Sequence, residues 1–135
     1  MKVFVGGSKT IKSLTDETIS IIDNLCRLGA EFLVGDCYGA DKLVQAYLAK
    51  REYRNVTIYV SGDNTRNNVG SFEEKHISAV GLSGFEFYRQ KDIAMAMDAD
   101  CGLMLWNSKT RGTKYNISDL RRMKKAVMVI SYDMK

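Results

Sequence analysis

The amino-acid sequence predicts an α/β fold built on a doubly wound parallel sheet of five strands with helices on both faces. Three observations predict it. Short, near-continuous apolar runs alternate with segments whose apolar residues recur at helical spacing. The runs are apolar along most of their length rather than at every second residue, as in strands covered on both faces. Glycines stand where the first two runs end, at Gly6-Gly7 and Gly35.

The elements follow in order. Residues 1–5 read as a short buried strand stopped by Gly6-Gly7. Thr15 has the character of an N-cap, with Asp16 and Glu17 in the first turn where the helix dipole favours carboxylates. Ile19, Ile22, Leu25, Cys26 and Leu28 continue at helical spacing, and Gly29 closes the helix. Residues 31–34 form a second strand ending at Gly35, residues 41–51 a helix, and residues 56–60 a strand rich in β-branched side chains. Residues 61–84 are polar and glycine-marked, with a helical turn or two expected within 73–80; so long a connection in a small domain is functional or mobile. A helix over 85–97, a strand over 101–106, a helix over 113–124 and a last strand over 126–132 complete the order. Right-handed crossovers then give a Rossmann-like sheet ordered 3-2-1-4-5, with a ligand crevice beyond the carboxyl ends of the first and fourth strands.

Length and composition bound the function. A chain of 135 residues, 45% hydrophobic, suits one domain spanning residues 1–135. Cys26, Cys37 and Cys101 lack paired spacing, which argues against a disulfide framework or zinc site; Cys26 and Cys101 are expected in the core. No cluster of His, Cys and carboxylate suggests a metal, and no cofactor is implied. No apolar run reaches membrane-spanning length and the start reads as a strand rather than a signal peptide, so the cytoplasm is the expected compartment. The net charge of +4 favours an anionic ligand but falls short of a nucleic-acid footprint.

Three loops carry the chemistry. Gly6-Gly7-Ser8-Lys9 offers backbone amides and a hydroxyl to an anion, or is an ordinary turn. In the loop from Gly35 through Asp36, Cys37, Tyr38, Gly39 and Ala40 to Asp41, the last residue either caps a helix or accepts hydrogen bonds from a ribose. Asp36 is a second ribose candidate or a turn residue. Trp106-Asn107-Ser108-Lys109-Thr110-Arg111-Gly112-Thr113 sets two cations and several hydroxyls at a helix N-terminus, where amides and dipole attract phosphate. The alternative there is a polar loop with a threonine cap. It is not a Walker A loop, because the Gly-x4-Gly-Lys-Ser/Thr order is missing. Trp106 either stacks on a base or covers the core rim. Arg66 with Asn64, Asn67 and Asn68 reads as a lid or a surface loop, and the lone His76 as a surface residue.

The ordered set Gly6-Gly7-Ser8, Gly35 through Asp41, Lys91 through Asp100 and Trp106 through Thr113 resembles the SLOG superfamily. This is the Rossmann-like group that includes DprA and the Lonely Guy phosphoribohydrolases, and the likeness is greatest to its small YspA/YpsA-like members. It covers nearly the whole chain except residues 61–84. The resemblance implies binding of nucleotides or ADP-ribose-like derivatives and, in some branches, cleavage of an N-glycosidic bond. On the Lonely Guy pattern the catalytic glutamate position falls on Asn116 and the assisting arginine on Lys91. An amide serves neither as general base nor as a counter-charge for an oxocarbenium-like centre.

The sequence therefore leads to a module that senses, carries or sequesters a nucleotide-like ligand. Its expected binding residues are Gly6, Gly7, Ser8, Lys9, Gly35, Asp36, Gly39, Ala40, Asp41, Lys91, Trp106, Ser108, Lys109, Arg111, Gly112 and Thr113. The second reading is a nucleotide N-glycosidase with Asp41 or Asp92 supplying the carboxylate, Arg89 standing nearby on the same helix. The third is a single-stranded nucleic-acid binder that uses the basic last third. A homo-oligomer is expected, because relatives self-associate and helix faces on a small sheet are apolar.

Overall fold

The computed structural model describes residues 1–133. The chain runs β1 (Lys2–Gly7), α1 (Asp16–Arg27), β2 (Glu31–Gly35), α2 (Ala40–Lys50), β3 (Val56–Ser61), β4 (Glu73–Ile77), α3 (Gly84–Asp98), β5 (Cys101–Trp106), α4 (Arg111–Arg122) and β6 (Ala126–Ser131). All strand pairs are parallel, in the order β4-β3-β2-β1-β5-β6.

The sheet has six strands, not five. Residues 73–77 pair with β3 as an edge strand, Thr57 opposite Glu73 through Ser61 opposite Ile77, where helical turns were expected. Glu-Glu-Lys-His-Ile has little intrinsic β preference. The unpaired backbone groups along β3 decide its conformation instead, and that influence is invisible in a local window. With β4 set aside, the other five strands stand in the expected order.

Alternation within each strand feeds two cores. Val3, Val5, Phe32, Val34, Leu103 and Leu105 face α1 and α2, where Ile22, Cys26, Val44 and Leu48 meet them. Phe4, Leu33, Tyr59 and Met104 face α3 and α4, where Met95, Ala96, Ile117 and Leu120 meet them. Burial on both faces is why these strands read as unbroken apolar runs. Cys26 is buried in the first core and Cys101 packs half-buried at its margin.

Local signals set most boundaries. Thr15 Oγ1 accepts from the Thr18 amide, and Gly29 adopts φ +75° just past the end of α1. α4 begins two residues before the expected start: Thr110 is its N-cap, so Arg111, Gly112 and Thr113 form the first turn. Asp100 closes a turn at the amino end of the sheet, its carboxylate accepting from the Lys2 amide at 2.6 Å, away from the carboxyl-end crevice. Among the described residues no helix is long and apolar enough to cross a membrane.

The fit between β5 and α4 is testable. A Cβ on Gly102 would lie 2.4 Å from Leu120 Cδ1. Gly102→Ala is expected to cost about 1–3 kcal/mol by overpacking, and Leu120→Ala about 2–5 kcal/mol. The double variant should lose clearly less than the sum, because each change relieves the other. Urea denaturation of the four proteins measures the coupling; strict additivity contradicts the packing.

Candidate functional site

The order in which the chain adds strands reverses at β1, whose neighbours are β2 on one side and β5 on the other. Beyond the carboxyl ends of these strands lies a cavity of about 540 Å³. Its wall includes Gly6 and Gly7 at the end of β1 and Lys9 after it, Cys37, Tyr38 and Asp41 around the start of α2, and Thr110, Arg111, Gly112 and Thr113 at the start of α4. The remaining wall comes from α3, Arg66, Phe4 of β1 and Asn116 of α4. The volume is in the range of small-molecule sites.

The three loops do converge, and one buried side chain joins them. Ser8 Oγ hydrogen-bonds with Thr110 Oγ1 at 2.8 Å and accepts from the Asn107 amide at 3.0 Å. The Ser8 carbonyl accepts from the Ala40 amide at 3.2 Å, which draws in the α2 loop. Ser8 is wholly buried and absent from the cavity wall. Its hydroxyl is therefore a structural tie rather than the anion ligand expected from the sequence.

Several expected ligands are likewise committed elsewhere. Asp36 binds Arg66 through its side chain at 2.8 Å and its backbone amide at 2.9 Å. Gln45 secures the same loop, donating to the carbonyls of Gly35 and Asn67 and accepting from the Val69 amide. Arg66, Asn67 and Val69 are thus fastened to the loop after β2, with Arg66 on the cavity wall. Trp106 donates to the Thr110 carbonyl at 3.1 Å and packs on the second core, the core-rim reading. Ser108 and Lys109 are exposed beside the cavity, outside its wall.

The glycines also serve the protein. A Cβ on Gly7 would lie 2.3 Å from the Leu105 carbonyl and 2.8 Å from Ala40 Cβ. One on Gly39 (φ +65°) would lie 2.3 Å from the Lys9 carbonyl, and one on Gly35 2.5 Å from the Asp41 carboxylate. Close approach to neighbouring backbone is by itself enough to require glycine at positions 7 and 39, and Gly7 also lines the cavity. Ala40 is buried beneath Gly7 and lies outside the wall for the same reason.

A buried charge cluster forms the floor. Lys91 Nζ donates to Asp92 at 2.7 Å. Burial works against the Lys91 charge, but Asp92 and Asp41 outweigh it and hold the ammonium above the ordinary lysine range. Burial pushes the Asp41 carboxyl up to about 6, with Lys91 opposing and Asp92 and Asp36 assisting. The Asp41 side chain accepts from the Cys37 amide at 3.1 Å, so it fastens the loop before its own helix rather than capping that helix, and it faces the cavity. Burial and Asp41 also raise the Cys37 thiol, which lines the site in neutral form.

The structure adds Phe85 and Tyr88 to the wall and brings there Arg89 and Asp92, which the sequence offers as candidates. Phe85, Tyr88, Arg89 and Asp92 fall one turn apart on α3 and share one face, a mixed aromatic and charged stripe whose spacing is visible in the sequence. Each guanidinium at the rim covers a ring: Arg66 over Tyr88 at 4.0 Å, Arg89 over Tyr115 at 4.7 Å and Arg111 over Phe85 at 3.7 Å. Arg89 also pairs with buried Asp119 at 2.9 Å. Three wall residues keep buried polar atoms without a partner: Arg66 Nε, Arg89 Nη1 and Asn116 Oδ1. His76 lies elsewhere, between the Gly62 carbonyl and Glu74. Among the described residues no three His, Cys, Asp or Glu side chains cluster as a metal site.

Two outcomes follow from this geometry. Gly7→Val should lower stability by about 1–3 kcal/mol with no ligand present, since the clash is internal; an unperturbed melting temperature contradicts this. Asp41 has a folded pKa of about 6, above its unfolded value of about 3.9. Its contribution is therefore most favourable below pH ~4 and is lost as pH rises through ~6. Melting temperatures between these limits should fall relative to Asp41→Asn, and parallel curves would refute the raised carboxyl. Neither a protein-family model nor a curated protein matches the chain.

Proposed function

We propose that the chain binds a nucleotide or nucleotide-derived anion at this cavity, in the manner that its likeness to SLOG proteins and their Rossmann-like fold implies. One observation carries the reading. Cationic side chains from four separate segments, Lys9, Arg66, Lys91 and Arg111, line one cavity that also receives the first turn of α4. The dipole and unpaired amides of that turn favour phosphate. Arg111 stacks on Phe85, which leaves its N–H edge for phosphate oxygens. Phe85, Tyr88 and the exposed Tyr38 provide ring faces for a base. Arg89 Nη1 and Asn116 Oδ1 supply a buried donor and acceptor still to be satisfied, which a polar ligand answers.

A second reading, N-glycosidic hydrolysis, draws on a different observation. Asp41, its carboxyl pushed up to about 6 by burial, and Asp92, paired with Lys91, both line the cavity. Carboxyl groups in contrasting environments divide acid and base roles. Asn116, at the family's glutamate position, supplies neither.

Calorimetric titration with nucleoside mono- and diphosphates and ADP-ribose, with chromatography of the products, separates the readings. Saturable binding without release of free base supports the module; turnover that Asp92→Asn abolishes supports the hydrolase. Arg111→Ala should weaken binding about tenfold or more, the worth of a charge-assisted hydrogen bond, while leaving the melting temperature of this exposed residue unchanged. No heat with any of these compounds, or an unchanged affinity in the variant, contradicts the assignment.

A further inference from the structure

The two edges of the sheet differ in kind. β4 presents Glu73, Glu74, Lys75 and His76, a charged row of the sort that discourages pairing with another strand. β6 reads Ala-Val-Met-Val-Ile-Ser, without a charge, and is mostly exposed. Met128 is 54% and Val129 38% exposed, on opposite faces of the sheet. β6 pairs only with β5, so among the described residues nothing meets the hydrogen-bonding groups along its outer side.

We infer that the outer edge of β6 pairs antiparallel with β6 of a second copy of this chain, joining the two sheets into one. Charge selects the copy and the direction. Exposed Lys124 precedes the strand, with Lys125 beside it, and exposed Asp133 follows it. Parallel pairing sets Lys124 against Lys124; antiparallel pairing sets Lys124 near Asp133 of the other copy, while Lys125 is held by the Ala96 and Met97 carbonyls of its own chain. A two-fold axis perpendicular to the sheet produces this arrangement, makes the contact self-complementary and keeps like faces together. With the axis at Met128 or Val129, the exposed apolar side chains of the two strands cover each other at cross-strand distance. The occupant is thus specified by the strand's own ends, independently of what fills the cavity.

Light scattering across about 1–100 µM protein brackets a micromolar association. The wild type is expected at twice the monomer mass at the upper end, and the double variant Met128→Lys/Val129→Lys at the monomer mass. The matching change on the other edge, Glu74→Lys, should leave the dimer intact. Asp133→Lys, exposed and remote from the core, provides the test should the double variant not fold. It should weaken association about threefold to fivefold, the worth of a good exposed ion pair, and adding Lys124→Glu should restore it. A wild type that stays monomeric overturns the inference, as does a dimer indifferent to both sets of variants. So does a monomer whose β6 edge captures a strand from some other protein.

Discussion

The site depends on the bonds that Ser8 makes at the end of β1. The residue is wholly buried, and its amide, carbonyl and hydroxyl all find partners on other segments: Leu105 at the end of β5, Ala40 at the start of α2, and Asn107 and Thr110 before α4. Each such bond contributes about 1 kcal/mol, and leaving a buried partner unmet costs more. The larger consequence is geometric. Three loops that would otherwise project separately from the strand ends are held at one depth, and the helix N-termini behind them face one cavity. Gly7 and Gly39 make this possible by letting backbone lie against backbone, since a Cβ at either position would fall 2.3 Å from a neighbouring carbonyl oxygen.

Charge is then concentrated on that frame. A lysine as buried as Lys91 loses most of its hydration and survives as an ammonium because Asp92 and Asp41 surround it. Asp41 bears the counterpart cost, a carboxyl that resists ionisation in the same enclosed place. At the mouth, Arg66, Arg89 and Arg111 each sit over an aromatic ring; Asp36 and Asp119 engage the first two, while Arg111 makes no side-chain ion pair among the described residues. Native proteins leave few buried polar atoms unmet, so Arg89 Nη1 and Asn116 Oδ1 on one cavity wall are informative. Their chemistry matches a ligand that carries both an acceptor and a donor.

The segment between β3 and α3 completes the enclosure. Its first half is bound to Asp36 and Gln45, which brings Arg66 to the cavity. Its second half becomes β4, which covers the open side of β3 with charged residues. The same chain therefore closes one sheet edge and furnishes one wall of the cavity. Among the described residues no segment covers the outer side of β6, and the apolar character of that strand sets the two edges apart.

Alternating apolar and helical periods determined the strand order of five strands, the helices on both faces and the position of the crevice, because burial on two sheet faces imposes a pattern on every element independently. Thr15 and Gly29 were legible as the ends of α1 for a similar reason: a cap acts within one turn of chain. The strand at residues 73–77 was not legible, since pairing with β3 rather than its own composition makes it one. Nor were the roles of Ser8, Asp36 and Gly7, whose types suit an anion site as well as they suit a loop junction. Which role each plays was decided by partners 30 to 102 residues away, Arg66 for Asp36 and Thr110 for Ser8. A residue's type states which bonds it can make, while only the folded chain determines which partners come within reach.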